Sequence, residues 1–480
     1  MLTISSGHSA DYLTSAVATG RENYYTGAVV AGEPPGRWYG RGAEALCLSG
    51  LVDHQDMTAL YEHFVHPADP GFRDPARWGR ADTLGHTGRK YLTEEQPAGA
   101  ALEAEPHADP ERRAELRLEA GKRARRNVSF LDLTFSVQKS VTVLHTAFEA
   151  QEVQARRTAE QAQADELAAR AAGDTGRAER YAYRYTQART AEASWAAHRA
   201  AVEDAIWAGN NAMLDYVQDR AAVSRVGHHG GAAGRYIDTH GLTVASFFQH
   251  TSRDNDPQLH IHNAALNRAQ GVDGTWRTLD SRGIHKVRPA AAAVAERVME
   301  ETLTATLGVV FATRPDGKAR EIVGVPATAM DLFSSRRRAI TPKLRALVAA
   351  FQQRFGREPN GLELTRLAQT ANLATRRAKS HDGETAEARL DRVDRQLRTE
   401  VGATLADLAQ QALAARPEQV TAEAWSETVV IETALAAVQE TKAAWTEPDL
   451  FRAISDALPD RLGVPPARVP ELVGRLTARR

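Results

Sequence analysis

The feature that most constrains the fold is a long helical stretch lying between two regions with strand texture. Residues 146–218 contain no proline and are rich in Ala, Glu, Gln and Arg, and the pattern is interrupted only near 172–176. Short apolar runs with Gly and Pro precede it, and strand texture returns over 227–280, where 271–274 is typical of a hairpin turn. The sequence therefore predicts an α+β fold with a helical hairpin, or two helices in series, between strand-rich regions.

Length and charge set limits on the rest of the chain. With 480 residues we expect two or three units, here 1–345, with the helical insertion at about 146–218, and a mainly helical region at 346–480. We expect the second region to be a separate helical unit, a linker or the start of a truncated further part. No apolar run reaches membrane length and no secretory signal is present, which indicates a cytoplasmic protein without membrane insertion. Because 60 basic residues face 61 acidic ones, any surface for nucleic acid must be local.

Histidines give the strongest chemical signal. Cys47 is the only cysteine, so a metal site here must use His and carboxylates. His260 and His262 are two apart, which on a strand puts both side chains on one face. His250 ends the preceding apolar run, and the turn residues 252–257 allow a hairpin to fold it back beside them. We therefore predict that His250, His260 and His262 hold one divalent ion with open coordination positions.

An acidic residue lies in the middle of a second predicted strand, SFLDLTFSVQKS at 129–140. Alternation puts Leu131, Leu133, Phe135 and Val137 on one face and Asp132, Thr134 and Ser136 on the other. A carboxylate beside metal-bound imidazoles can accept the second ring N–H or take a proton from a nucleophile. The alternative is a solvent-facing Asp on a half-exposed sheet.

Several motifs together resemble one enzyme family. Tyr12, Tyr24 and Tyr25 lie near the N-terminus, followed by GRWYGRGAEALCLSG, LDLTFSVQKS, HTSRDNDPQLHIHNA and GTWRTLD. This order over roughly 1–345 resembles the relaxase domain of MobF-type conjugative relaxases, which belong to the HUH endonuclease superfamily. The resemblance implies a central antiparallel sheet flanked by helices, a divalent ion on His250, His260 and His262, and Asp132 supporting the site.

The resemblance also implies a reaction. A tyrosine would attack a phosphodiester of single-stranded plasmid origin DNA, leave a 5′-phosphotyrosine and later allow the strand to be rejoined. Tyr12 matches the family's first tyrosine group and the pair Tyr24 and Tyr25 its second. Mg or Mn would be usual for phosphate work, although three imidazoles also suit Zn, Co or Ni. The family's accessory relaxosome proteins and a type IV secretion or coupling apparatus would be partners.

The sequence departs from the family pattern at two places. Leu13 follows Tyr12 where a second tyrosine is usual, and the stretch to Tyr24 is longer. Tyr24 or Tyr25 would be the primary nucleophile if this spacing moved Tyr12 out of register. The turn between His250 and His260 is one residue short, which we expect a hairpin to absorb without moving the ligands.

Local features indicate the DNA contacts. Arginine suits phosphate, and aromatic faces suit unstacked bases. The alternative for such charge runs is a solvated helix face. The candidates are Arg37, Trp38, Arg41, Lys122, Arg123, Arg125, Arg126, Arg336, Arg337 and Arg338.

Other functions remain open at this stage. A rolling-circle replication initiator of the HUH class would use the same site, and a non-catalytic single-stranded DNA-binding module would use the metal structurally. A generic metal hydrolase is a weaker option. No GxxxxGK[ST] phosphate loop occurs in the chain, so ATP-driven unwinding is not expected from it.

Overall fold

The computed structural model describes residues 1–7, 34–87, 95–107, 116, 127–227, 234–252, 256–317, 319–375 and 384–479. Within these residues, a five-stranded antiparallel sheet has the order β1, β3, β7, β6, β2. Its strands are β1 Leu2–Gly7, β2 Arg37–Tyr39, β3 Phe130–Ser136, β6 Val244–Thr251 and β7 Pro257–Leu266. The antiparallel central sheet implied by the family resemblance is therefore confirmed.

Three two-stranded ribbons accompany the sheet. The predicted hairpin at 271–274 is confirmed, because Gly271 donates to Thr275 and the flanking residues pair. The ribbons are β4 Val223–Val226 with β5 Arg235–Asp238, β8 Ala269–Gln270 with β9 Trp276–Arg277, and β10 Phe311–Thr313 with β11 Arg320–Ile322.

The predicted helical stretch forms two long helices, α4 Lys139–Ala171 and α5 Thr175–Ala221. Gly173 adopts a positive φ of 73° where α4 ends. Asp174 then caps α5 by accepting from the Arg177 amide at 2.9 Å. Both helices extend further toward the sheet than the predicted 146–218, because their inner turns carry buried apolar residues.

The remaining helices lie around the sheet and after it. They are α1 Arg41–Ala45, α2 His54–Glu62, α3 Glu95–Ala104, α6 Ser281–Leu307, α7 Ala327–Leu332, α8 Ser335–Phe355, α9 Gly361–Ala374, α10 Ala386–Glu400, α11 Leu405–Ala414, α12 Glu427–Thr441, α13 Glu447–Ala457 and α14 Val469–Ala478, with short 3₁₀ turns at Trp78–Arg80 and Pro466–Arg468. None of the described helices is long and apolar enough to cross a membrane.

Helices cover one face of the sheet completely. Leu131, Leu133 and Phe135 of β3 pack with buried apolar residues of α4, α5 and α6, which confirms the predicted alternation of this strand. The side-chain amides of Asn210 in α5 and Asn263 in β7 exchange hydrogen bonds of 3.1 and 2.7 Å. This buried amide pair fixes α5 against the sheet, since leaving either amide unpaired would be costly.

The C-terminal helices do not pack as a separate unit. Leu390 and Leu397 of α10 and Leu408 of α11 belong to the same buried cluster as the sheet and α4. Residues of α12, α13 and α14 pack on the outer side of α6. The expectation of a separate helical unit is thus wrong for the described residues, because their apolar faces are buried against the first region. The division at 345 falls inside α8 and stays a prediction.

Candidate active site

The second face of the sheet is apolar at one end and polar at the other. At the apolar end Trp38, Phe247 and Leu266 pack against α2. At the polar end, Thr134 and Phe247 lie opposite His262 in register, and Ser136 and Gln249 lie opposite His260. Residues directly opposite each other in antiparallel strands share a face. The site therefore combines side chains from β3, β6 and β7, which are neighbours in the sheet.

His262 is held by a carboxylate and a hydroxyl. Its Nδ1 lies 2.8 Å from Oδ2 of Asp132 and 3.2 Å from Oγ1 of Thr134. The Thr134 hydroxyl also donates to Oδ1 of Asp132 at 3.2 Å. Asp132 and His262 are both buried. Since a carboxylate oxygen accepts, this hydrogen bond directs the Nδ1–H of His262 toward Asp132 and leaves Nε2 on the far side of the ring for a ligand.

His260 is oriented in the same sense by the backbone. Its Nδ1 lies 3.0 Å from the carbonyl oxygen of Gln258. The rings of His260 and His262 have centroids 4.9 Å apart. Each imidazole thus has its Nδ1 next to an acceptor, the arrangement that prepares Nε2 to bind a divalent cation. The donor set on this face fits a metal ion.

The structure does not bring His250 to these two imidazoles. In the pairing of β6 with β7, Phe247 is opposite His262 and Gln249 is opposite His260. His250 follows Gln249 in the strand, so its side chain lies on the other face of the sheet. Its ring lies 4.8 Å from that of Phe248 and 5.4 Å from that of His145 in α4. The predicted three-histidine cluster is therefore wrong. A one-residue difference in the length of a hairpin reverses the face on which a side chain lies. The expectation that the shorter turn would leave the three ligands in place is therefore wrong.

Gln249 takes the position that sequence reasoning gave to His250. It is 1% exposed and directly opposite His260. No sequence signal identified it, because spacing alone does not fix the register across the turn between β6 and β7. A carboxamide oxygen can serve as a ligand to a hard cation such as Mg²⁺ or Ca²⁺.

Comparisons with known proteins agree with this architecture. The family model described as TrwC relaxase matches residues 6–190 and 188–401. The chain belongs to the TrwC relaxase family. Membership makes this protein a relaxase, an enzyme that nicks one strand of DNA, and confirms the family resemblance read from its motifs.

Solved structures show the same fold. A copper-bound complex of the conjugative relaxase TrwC with oriT DNA is 21% identical, with a TM-score of 0.50 over 84% of this chain and 100% of that one. A metal-free complex of TrwC with oriT DNA is 22% identical, with a TM-score of 0.50 and the same coverage. No curated protein sequence matches the chain.

The predicted nucleophiles of this relaxase lie outside the described residues, as do Lys122, Arg123, Arg125 and Arg126. Tyr12, Tyr24 and Tyr25 belong to the segment 8–33, which joins β1 to β2. The segment re-enters the described structure at Pro34, and Gly36 then packs so closely on the ring of Phe247 that a Cβ would lie 2.4 Å from it. Phe247 is opposite His262, so Gly36, three residues after the segment, lies beside the site.

The DNA-contact candidates on β2 and at the start of α1 have partners within the protein. Trp38 is buried and its ring lies 6.5 Å from that of Tyr61, so its prediction as a base-stacking residue is wrong. Because side chains alternate along β2, the Trp38 ring lies on the face that packs against α2. Arg37 is exposed and lies over Trp207 at 4.8 Å, and Arg41 forms an exposed ion pair with Asp219 at 2.6 Å.

The arginine run at the start of α8 lies near the end of β7. The Ser335 amide donates to Asp256 at 2.9 Å, one residue before β7 begins. Arg336 contacts Asn372 and Arg338 lies 3.5 Å from Glu400, while Arg337 is exposed. This run therefore borders the strand that carries His260 and His262.

Sequence reasoning missed Lys139, the first residue of α4 and part of the motif that contains Asp132. Its Nζ donates to the carbonyl oxygen of Pro257 at 3.2 Å, at the start of β7. Burial lowers the pKa of Lys139 to about 8, against the raising effect of Asp256 and Glu321. A lysine in a strand-to-helix turn beside a candidate phosphate site was a signal available in the sequence.

Proposed function

We propose that this relaxase nicks one strand of plasmid origin-of-transfer DNA by tyrosine transesterification and later rejoins it. The observation that carries the proposal is the pairing of Asp132 with His262 beside His260, on the face of the sheet opposite α4 and α5, where β3, β6 and β7 run side by side. Family membership supplies the reaction class. TrwC in the related structures is bound to oriT DNA, which supports the same substrate class here.

His260 and His262 would hold a divalent ion, and Gln249 would contribute a third ligand from the opposite strand. A bound divalent ion supplies charge neutralisation of the non-bridging phosphate oxygens. Asp132 and Thr134 hold His262 in the correct tautomer, and the Gln258 carbonyl orients His260. Mg²⁺ or Mn²⁺ is the ion we propose, because hard cations are usual for phosphate chemistry and the Gln249 oxygen is a hard donor, while the two imidazoles also accept Zn²⁺, Co²⁺ or Ni²⁺.

The nucleophile would be a tyrosine of the segment 8–33. Its phenolate oxygen attacks phosphorus, the bond to the leaving 3′-oxygen breaks, and that oxygen ends as a 3′-hydroxyl after taking a proton. The 5′-phosphotyrosine keeps the bond energy, so a later 3′-hydroxyl can reverse the step. Tyr12 would make the first cut and Tyr24 or Tyr25 a later transfer. The packing of Gly36 on Phe247 supports this assignment, because Gly36 follows the segment closely in the chain.

Cationic residues around the start of β7 would contact the DNA backbone. Lys139 and Arg337 border the strand that carries both imidazoles. The arginines Arg336 and Arg338, the exposed Arg37 and Arg41, and the run Lys122, Arg123, Arg125 and Arg126 would extend this surface. The reaction would take place in the cytoplasm, with accessory relaxosome proteins and a type IV secretion apparatus as partners.

The decisive experiment follows covalent attachment. Incubate the protein with a labelled single-stranded origin oligonucleotide and Mg²⁺ or Mn²⁺, separate products under denaturing conditions, and locate the modified residue by mass spectrometry. We expect a protein–DNA band that Tyr12→Phe removes, with Tyr24→Phe and Tyr25→Phe as matched comparisons. If the band were lost only with Tyr24→Phe or only with Tyr25→Phe, that tyrosine would be the nucleophile of the first cut.

Three other outcomes would overturn the proposal. A free 5′-phosphate without any adduct would identify a metal hydrolase. Unchanged DNA binding without cleavage, in the presence of every ion tested, would identify a binding module. Cleavage of replication-origin oligonucleotides with no cleavage of transfer-origin ones would identify a replication initiator with the same chemistry.

A further inference from the structure

A second group of potential metal ligands lies on the helix-covered face of the sheet. His145 of α4, Glu203 of α5 and His250 of β6 present ligand atoms that all lie within 4.8 Å of one another. Among the described residues this is the one group of three or more His, Cys, Asp or Glu side chains with that property. Neither His260 nor His262 belongs to it.

The distances suit a small divalent ion. Nε2 of His145 lies 2.9 Å from Oε1 of Glu203, and Nε2 of His250 lies 4.0 Å from the same oxygen. Ligand atoms about 2.0–2.1 Å from a tetrahedral zinc are roughly 3.3 Å apart, which falls between these two values. Small side-chain rotations would therefore bring the three atoms to coordination distance.

The surroundings fix the three side chains in this arrangement. His145 is 1% exposed, and Arg199 donates to Oε1 of Glu203 at 2.6 Å and to Glu152 at 2.7 Å. Burial lowers the pKa of His145, which favours the neutral ring, and a bound ion would replace the proton through which Nε2 now donates to Glu203. Burial alone would raise the pKa of Glu203, but the hydrogen bond from His145 and the charge of Arg199 lower it to about 2, so the carboxylate is ionised.

A cavity of about 360 Å³ opens beside the group. It is lined by His145, Glu203 and His250 together with charged residues of α4 and α10, and by Pro34. A water molecule in this space could complete a four-coordinate site with three protein ligands. Pro34 is the residue at which the tyrosine-bearing segment re-enters the described structure.

We propose that His145, Glu203 and His250 form a second metal site, separate from the catalytic face, that binds a borderline transition ion such as Zn²⁺. Two imidazoles and one carboxylate prefer Zn²⁺, Co²⁺ or Ni²⁺ and bind Mg²⁺ poorly. The ion joins α4, α5 and the end of β6, next to the point where the segment 8–33 returns. The site thus fixes the strand end from which Gln249 projects to the other face.

The test counts metal ions in the full chain. Titrate the metal-free protein with Co²⁺, following the visible absorption of the ion, and measure bound Zn²⁺ by elemental analysis. Compare wild type with His145→Gln, Glu203→Gln and the double variant His260→Ala/His262→Ala. The matched control is His285→Ala, which removes an exposed histidine of α6. Circular dichroism and thermal melting without metal check that each variant folds.

We expect one Zn²⁺ or Co²⁺ to be lost in His145→Gln and Glu203→Gln, with affinity at least about 100-fold weaker, since loss of a direct ligand exceeds the effect of an outer-shell partner. That ion should remain in His260→Ala/His262→Ala and in His285→Ala, and excess Mg²⁺ should not displace it. Zn²⁺ should raise the melting temperature of wild type but not of His145→Gln.

Two results would overturn the second site. One is unchanged Co²⁺ and Zn²⁺ stoichiometry in folded His145→Gln and Glu203→Gln. The other is a single bound ion that disappears only in His260→Ala/His262→Ala, which would leave the catalytic proposal intact. Conversely, loss of the adduct reaction with an intact second ion would point to a failure of the catalytic site alone.

Discussion

Oδ2 of Asp132 lies 2.8 Å from Nδ1 of His262, joining β3 to β7 on the face of the sheet opposite α4 and α5. The pair fixes the tautomer that leaves a lone pair on Nε2 of His262. We expect Asp132→Asn to preserve the shape but lose the charge that stabilises the N–H donor. Metal affinity and the rate of adduct formation should each fall about 10–100-fold.

Metal titration and single-turnover cleavage measure this prediction. Asp165→Asn, on the outer part of α4, is the matched control, because Asp165 is only partly buried and its solvent-exposed hydrogen bond joins it to Gln161, one turn away in the same helix. A loss of less than twofold in both measurements for Asp132→Asn would contradict a supporting role for the carboxylate.

The register between β6 and β7 makes a second prediction about metal affinity. Gln249 is opposite His260, so Gln249→His would add an imidazole to the face that carries His260 and His262. We expect at least about tenfold tighter binding of Zn²⁺ or Co²⁺ at this face, because nitrogen donors favour these ions. The measurement is Co²⁺ titration in the His145→Gln background, which isolates this face.

His250→Ala and His260→Ala provide the matched comparison for that assignment. His250→Ala should weaken binding at the catalytic face much less than His260→Ala. Equal losses in the two variants, with no gain in Gln249→His, would show that residue 250 and not residue 249 faces the imidazoles.

The sequence predicted where helices and strands lie better than it predicted which face of the sheet carries a given side chain. Alternation along β3 correctly placed Asp132 on one face of the sheet and Leu131 and Leu133 on the other, since a strand has a fixed period of two. The same rule fails across a turn of unknown register, and His250 was assigned to the wrong face for that reason. Only the pairing of His260 with Gln249 shows which residue faces the site.

Long-range packing was beyond sequence reasoning. His145 and Glu203 lie on different long helices and come within 2.9 Å because α4 and α5 pack side by side over β6. Neither residue is part of a short motif, so no spacing rule could pair them. The burial of Trp38 has the same origin, because exposure of a strand residue depends on what covers its face.

The shifted pKa of Lys139 predicts a pH dependence of stability. Burial lowers this pKa to about 8, whereas an unfolded lysine has a pKa of about 10.4. Between these values the unfolded chain holds a proton that the folded chain has released, so unfolding free energy rises with pH. The contribution is fully present above the unfolded pKa and is lost as pH falls through 8.

Lys139→Met removes this titration while keeping much of the side chain's length. We expect the free energy of unfolding of wild type relative to Lys139→Met to rise by on the order of 2–3 kcal/mol from pH 8 to pH 10.5. Urea unfolding at several pH values measures the difference, with the exposed Lys286→Met as control. A difference that is independent of pH would show that the lysine titrates normally.

The burial of Trp38 separates stability from DNA binding. Trp38 is 8% exposed and packs in the cluster that joins β2 and β6 to α2, so Trp38→Ala should cost about 3–5 kcal/mol of unfolding free energy. DNA affinity per folded molecule should stay within about twofold, because the ring is not available to stack on bases.

Arg337→Ala should leave the free energy of unfolding unchanged and reduce the slope of log DNA affinity against log salt concentration by about 0.7. Fluorescence anisotropy with a single-stranded oligonucleotide at several salt concentrations, combined with urea unfolding, measures both variants. A large affinity loss in fully folded Trp38→Ala would return this residue to the DNA surface.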